Sequence, residues 1–321
     1  MEGVEFKGVH ALEEDIKYIV SKLRVLRTCA LFGRASRPIL KYHGGVLKGI
    51  PLSDDNFFNI KDLLDGIEFP KADIYALDAS MKLIFDFGSF KVYAVKVVVE
   101  RFKEYRSEVF SSYYHLISAE NREDALRELS KIEYRVILKL LNAVNNSIVL
   151  LDRPIFNNAF YHILIKASAC RNNLLIGLCK SSSIMLEDGT PLIGYLCMRA
   201  RVLGLRRWYY YPLFREDELS LRILILKLSS EDNFLAFRVD VYDCKNRPID
   251  EIVRRIASLE DPSHPGYPYP LIRAHRDSKL RKHEISILRE HILDNIAFNM
   301  NLDDSVMLRR EELEGRSSFM G

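Results

Sequence analysis

The sequence predicts an α/β protein: a mixed β-sheet core, flanking helices, and a further β/α elaboration toward the C-terminus. Three observations predict it. Apolar runs and helical periodicity alternate in the order β-β-β-α-β-α-β between residues 74 and 180. Two of those runs, Ile148–Asp152 and Asn173–Lys180, are almost continuously apolar, as parallel strands covered on both faces are. Carboxylates also stand where the apolar pattern should exclude them. Asp78 follows Ile74-Tyr75-Ala76-Leu77, Asp152 follows Ile148-Val149-Leu150-Leu151, and Glu133 lies within the apolar stripe of the helix between them.

The elements follow in order. Ala11 to Leu26 places Leu12, Ile16, Ile19, Val20 and Leu23 on one face of an amphipathic helix. Gly33 to Pro70 is punctuated by Gly, Pro and Asp and reads as irregular, so residues 1–70 form an N-terminal helical and loop extension. Three strands come next, Ile74–Ser80, Lys82–Phe87 and Phe90–Phe102, with a turn at Gly88-Ser89. A helix spans Arg122 to Asn145. Pro154 opens another after the buried strand, because its missing N–H costs nothing at a first helical position. Leu221–Leu228 and Phe234–Tyr242 read as strands, and Ile249–Ser258 as a helix. A Pro/Gly/Tyr loop, Asp261 to Pro270, leads into a last basic helix, Leu271 to Asp294. One domain therefore covers residues 71–300, and 301–321 is a charged tail expected to be mobile.

Composition narrows the class. Net charge is only +3, so the molecule is no polycation and any nucleic-acid affinity must come from local clustering. No apolar run reaches the roughly 18 residues that span a bilayer, which predicts no membrane association. The start, Met1-Glu2-Gly3-Val4-Glu5, lacks the basic and apolar regions of a signal peptide, so a cytoplasmic location is the expectation. Five cysteines without a Cys-x-x-Cys pair read as reduced, buried thiols.

The carboxylates carry the chemistry. Leu126, Leu129, Val136, Ile137 and Leu140 lie three, four or seven residues from Glu133 and place it on the buried side of its helix. Each acid has a structural alternative. Glu133 could close a capping box with Ser130, Asp78 could serve a turn, and Asp152 could cap a helix. Together they are more specific. Two parallel strands ending in Asp on one edge, with a helix-borne Glu above, bring three carboxylates together, and such a cluster repels itself without cations. Two Mg²⁺ or Mn²⁺ ions roughly 3.5–4 Å apart would neutralise it and activate water toward a phosphodiester. The order strand-Asp, hairpin, helix-Glu, strand-Asp is the one in which an RNase H-like nuclease core lays out its metal ligands.

Further candidates surround that set. His275 follows the rigid Gly266-Tyr267-Pro268-Tyr269-Pro270 loop and could ligate a metal or handle a leaving-group proton. Tyr267 could orient water or phosphate, or simply pack on the prolines. Lys180, closing Leu174–Cys179, could neutralise a scissile phosphate or be a solvated strand end. Arg199, Arg201, Arg206 and Arg207 run into Trp208-Tyr209-Tyr210-Tyr211, and Arg273, Arg276, Lys279, Arg281 and Lys282 line the last helix. Both clusters suit a nucleic-acid track of phosphate-gripping cations and base-stacking aromatics. A buried aromatic strand and a solvated helix face are the alternatives.

Across residues 72–280 the chain resembles the NurA family of DNA-end-processing nucleases. The resemblance rests on Leu77-Asp78-Ala79-Ser80, Glu133, Leu150-Leu151-Asp152, Ile176-Gly177-Leu178-Cys179-Lys180 and, most distinctively, Gly266 to Arg276. It implies an RNase H-like core and an active site of Asp78, Glu133, Asp152, Tyr267 and His275. It also implies Mn²⁺ or Mg²⁺ dependence, a two-fold dimer, and work beside a hexameric HerA-type translocase. The implied activity is 5′-to-3′ trimming of DNA with single-strand endonuclease activity, as in DNA end resection for double-strand-break repair. A non-catalytic DNA-binding subunit and an RNA- or hybrid-cleaving enzyme are the rival expectations. Two departures stand out: Ala79 replaces a usual Gly, and Arg153-Pro154 follows Asp152 where Gly is frequent.

Overall fold

A computed structural model describes residues 16–21, 33, 36–42, 45–60, 68–103, 106–156, 160–180, 182–215, 220–231, 236–261 and 263–299. Its centre is a nine-stranded mixed sheet in the order β3-β10-β11-β12-β8-β7-β4-β5-β6. The middle strands are β4 (Ile74–Asp86), β7 (Ile148–Leu151) and β8 (Leu174–Cys179), which run parallel to one another. β5 (Lys91–Lys103) and β6 (Arg106–Ala119) extend the sheet on one side. β12 (Phe237–Asp243), β11 (Arg222–Lys227), β10 (Trp208–Tyr210) and β3 (Phe57–Asn59) extend it on the other. This is the RNase H-like core that the element order predicts, with the expected C-terminal elaboration.

Helices cover both faces, so the central strands are apolar on both sides. α1 (Arg122–Ala143), α2 (Tyr161–Cys170) and α3 (Leu192–Val202) pack on the face built by Tyr75, Leu77, Val149 and Leu151. α4 (Ile249–Ala257) and α5 (Tyr269–Ser278) cover the face of Ile74, Ala76, Ile148 and Leu150. α1 begins where the Asn121 side chain accepts the Asp124 N–H at 3.0 Å, with Glu123 and Asp124 in the favourable first turn. α6 (Lys282–Asn299) follows α5 and packs Ile285 with Ile84, Phe85 and Ala94 of β4 and β5.

Several expectations are corrected. The first two predicted strands are one, β4, because its neighbour β5 pairs with it almost end to end. Asp78 therefore lies within a strand, whereas Asp152 does follow the end of one. β6 was not anticipated. The helix expected at Pro154 starts at Tyr161, and the long last helix is two, α5 and α6. The stretch from Gly33 to Pro70 is not irregular throughout. β1 (Pro38–Tyr42) and β2 (Gly45–Lys48) form a small sheet with β9 (Met185–Leu186), and β3 joins the main sheet beside β10. Of the predicted N-terminal helix, residues 16–21 are helical and the remainder lies outside the described residues, as does the 301–321 tail. Among the described residues, no helix is long and apolar enough to cross a membrane.

Candidate active site

The parallel ladder between β4 and β7 ends on the pair Leu77–Leu151. The next residues are Asp78 and Asp152, so the strand register itself sets the two carboxylates side by side. Alternation along the strands turns both toward the face under α5, with the parity of Ile74, Ala76, Ile148 and Leu150. α5 supplies a third group. His275 Nδ1 lies 2.9 Å from Asp78 Oδ2, within hydrogen-bonding distance of that carboxylate. Ser278, three residues on and hence on the same helix face, donates its hydroxyl to the same oxygen at 2.9 Å. Ligand-type atoms of Asp78, Asp152 and His275 all lie within 4.8 Å of one another.

Asp152 is held from its other side. The Tyr267 hydroxyl donates to Oδ1 at 2.7 Å and Lys180 Nζ donates to Oδ2 at 2.9 Å. The Lys180 ammonium also sits 4.6 Å from the Tyr267 ring centroid. Burial pushes the Tyr267 phenol up, and Asp152 and Asp78 add to the shift, so Tyr267 remains a neutral donor. Tyr267 is carried by β14 (His264–Pro268), which pairs with β13 (Glu260–Asp261). The Glu260 side chain accepts the Gly266 N–H at 2.6 Å and pairs with Arg207, which fixes the hairpin next to Tyr267.

Glu133 arrives from the opposite face, on α1, and is 1% exposed. Arg153 has the parity of Leu151 and turns to that same face, where its guanidinium bonds Glu133 Oε1. Glu133 Oε2 has no hydrogen-bond partner among the described residues. Burial pushes the Glu133 carboxyl up to about 7; Arg153 opposes the rise, and Asp78 and Asp152 add to it. Glu133 thus feels both aspartates, but the compact group of potential ligands does not include it. The donor set suits a hard divalent ion: carboxylate oxygens and an imidazole, with an unsatisfied buried carboxylate oxygen nearby.

The segment after Asp152 is fixed by residues that the sequence did not single out. Asp240 of β12 accepts the Ile155 and Phe156 N–H groups, both at 3.0 Å. Arg238 grips the same carboxylate at 2.7 and 2.9 Å, and both side chains are buried. Their signal was two opposite charges two residues apart in an apolar strand, which alternation places on one face. Gly177 completes the clamp. A Cβ there would lie 2.4 Å from the Arg153 carbonyl oxygen, so only glycine lets the chain pass so close to β8.

No family model matches the sequence, and no curated protein matches it. Solved structures do. The NurA nuclease from Sulfolobus solfataricus aligns over 92% of this chain and 99% of its own, at 12% identity and a TM-score of 0.57. A second NurA crystal structure aligns over 78% and 93%, at 12% identity and a TM-score of 0.50. The fold is that of the NurA nucleases. The likeness to the first of these structures extends over nearly the whole chain.

The two basic segments fare differently within this fold. Trp208 is 1% exposed and packs edge-on against Phe57 with ring centroids 5.3 Å apart. Its expected role in stacking on bases is therefore corrected: β10 is a buried aromatic strand. Arg199 binds Asp54 through two nitrogens at 2.8 and 2.5 Å, and Arg207 is engaged by Glu260. Arg201 and Arg206 are exposed. On α5, half-buried Arg273 lies 3.4 Å from Asp277, while Arg276 and, just beyond the helix, Lys279 are exposed close to His275.

Proposed function

We propose that this chain is a divalent-metal-dependent deoxyribonuclease that hydrolyses phosphodiesters at the site formed by Asp78, Asp152 and His275. The observation that carries this reading is the convergence of those three groups at the end of the β4–β7 ladder, with Lys180 and Tyr267 bracing Asp152. A bound Mg²⁺ or Mn²⁺ supplies Lewis-acid polarisation of a phosphoryl oxygen and lowers the pKa of its water. Asp78, Asp152 and His275 would hold it. Ser278 and Tyr267 orient the two aspartates by donating to oxygens that would otherwise rotate. Lys180, half exposed beside Asp152, is placed to meet a phosphate oxygen. A ring nitrogen of His275 would ligate the ion, or take up a proton from the attacking water that it could later pass to the leaving oxygen.

The likeness in fold to NurA supports the finer parts of the reading. They are action on DNA ends with 5′-to-3′ polarity, single-strand endonuclease activity, a two-fold dimer, and cooperation with a hexameric HerA-type translocase in end resection. Arg276 and Lys279, beside His275, are the best-placed cations for leading the strand to the site, with Arg273 as a further candidate.

The test is Mn²⁺- and Mg²⁺-dependent cleavage of end-labelled single- and double-stranded DNA, with RNA and hybrid substrates as comparison. Asp78→Asn and Asp152→Asn should each lower cleavage by at least about 10³-fold while the fold survives. Wild-type rates in either variant, or equal cleavage in excess chelator, would sink the metal-centred reading. Preference for RNA would move the activity to the rival RNase class.

A further inference from the structure

Arg153 occupies the side of the site where a second cation would be needed. Its position is built, not incidental. Gly177 lets the Arg153 backbone lie against β8, Asp240 clamps the N–H groups of Ile155 and Phe156, and Pro154 restricts Arg153 itself to extended backbone. Strand alternation then sends Asp152 to the α5 face and Arg153 to the α1 face. There the guanidinium meets Glu133, whose second oxygen is left unpartnered and buried.

We infer that this chain builds a one-ion centre, in which the Arg153 guanidinium serves as the fixed second cation beside Glu133. The inference rests on the metal-dependent reading above and replaces the expectation of two ions. Charge supports it. Even with the carboxylates of Asp78, Asp152 and Glu133 all counted as ionised, they exceed the cations Lys180 and Arg153 by only one negative charge. One divalent ion and one bound phosphodiester bring that site to neutrality. A second divalent ion, with Arg153 in place, would leave two positive charges uncompensated in a partly buried site. Geometry agrees: the potential ligands that converge are Asp78, Asp152 and His275, without Glu133. Arg153 is a positioning and charge-compensating residue here, and it reaches the solvent side of the site at 27% exposure.

The test counts ions without turnover. Mn²⁺ is titrated into the full-length protein in the absence of DNA, and binding is read by the loss of the free Mn²⁺ electron-paramagnetic-resonance signal and by calorimetry. Wild type should bind one ion per chain. Arg153→Ala should gain a second, or bind it at least about tenfold more tightly, whereas Arg153→Lys, which keeps the charge, should stay at one. Glu133→Gln should retain the single ion with an affinity within about threefold of wild type. Two comparable ions in wild type, one ion in both wild type and folded Arg153→Ala, or loss of the ion in Glu133→Gln would each overturn the inference. Should Arg153→Ala fail to fold, the wild-type count and Glu133→Gln still decide. A wild-type protein that binds no Mn²⁺ at millimolar concentration would instead overturn the metal-dependent reading itself.

Discussion

Two arginine-rich segments of this chain read almost alike in sequence, and the fold puts them to different uses. Residues 199–208 lie at the far side of the sheet. β10 is four strands from β7, roughly 19 Å at about 4.8 Å per strand. There Asp54 takes Arg199, Glu260 takes Arg207, and the aromatic run is buried. Residues 273–282 sit on and after α5, directly over Asp78. Asp277 lies at 3.4 Å from both Arg273 and Arg276, the buried Glu100 of β5 also faces these two arginines, and His275 reaches the metal-type cluster. The difference teaches that a cationic stretch is not a binding track until its acidic partners in space are known. Asp54 and Glu260 are 145 and 53 residues away from the arginines they hold.

The sharpest way to break the comparison is His275→Ala. The imidazole bonds Asp78 and groups with Asp78 and Asp152 as a potential ligand, so its loss should lower kcat by about 10²-fold or more, within the range for acid–base or ligand groups. DNA affinity should change little, because the phosphate-gripping cations remain. Single-turnover cleavage combined with equilibrium binding separates the two. Full-rate cleavage would reduce α5 to a helix that happens to lie nearby, no more functional than the 199–208 segment.

What was legible in the sequence follows the physics of burial. Asp78, Asp152 and Glu133 were legible because charge inside an apolar pattern is costly and therefore visible. The β4–β7 register that joins the two aspartates was implied by their equivalent positions after apolar runs. The partner of Glu133 was not. Arg153 stood out only as a departure from the usual glycine, because strand alternation at Asp152-Arg153 matters only once the helix face that each side meets is known. β6 was missed because its exposed, even-numbered face carries Phe110, Tyr114 and Leu116, so its apolar residues do not follow the two-residue alternation of its burial. Pro154 looked like a helix start, yet Ile155 and Phe156 give their N–H groups to Asp240, a carboxylate 84 residues beyond Phe156. Long-range polar partners of this kind leave no local signal. The division of the last helix at Lys279–Arg281 likewise carries no Gly or Pro to announce it.

The next two effects concern the segment at the far side of the sheet. Trp208→Ala should cost about 3–5 kcal/mol of stability, as large aromatic truncations in packed cores do. Denaturant midpoints measure that cost, and DNA affinity measured on the folded fraction should not move. A Trp208→Ala protein of native stability that binds DNA weakly would return this residue to the DNA surface. Arg207→Ala should act at a distance. Without it Glu260 loses its cationic anchor, the Gly266 N–H is held less firmly, and Tyr267 is less well placed on Asp152. Cleavage should fall about tenfold in kcat, since modest misplacement of a reacting constellation is costly, with the salt dependence of binding unchanged. An Arg207→Ala protein whose kcat matches wild type, but whose binding loses salt sensitivity, would make it a phosphate contact after all.

The smallest effect is the most discriminating for the comparison itself. If Arg276 and Lys279 grip phosphates, replacing both with Ala releases fewer counterions on binding. The slope of log affinity against log salt should become shallower by about 0.7 to 0.9 per lost contact, between the single-strand and duplex values. The loss should be alike for all sequences, because phosphate contacts carry no base information. Arg206→Ala is the control: also exposed and of the same charge, but outside the site, it should leave the slope where it was. Parallel titrations of wild type, the double variant and the control over the same salt range read all three. A shallower slope in Arg206→Ala would extend the DNA path across the sheet toward β10. An unchanged slope in the double variant would leave α5 with only His275 and Ser278 as its contribution, and the strand would have to enter by another face.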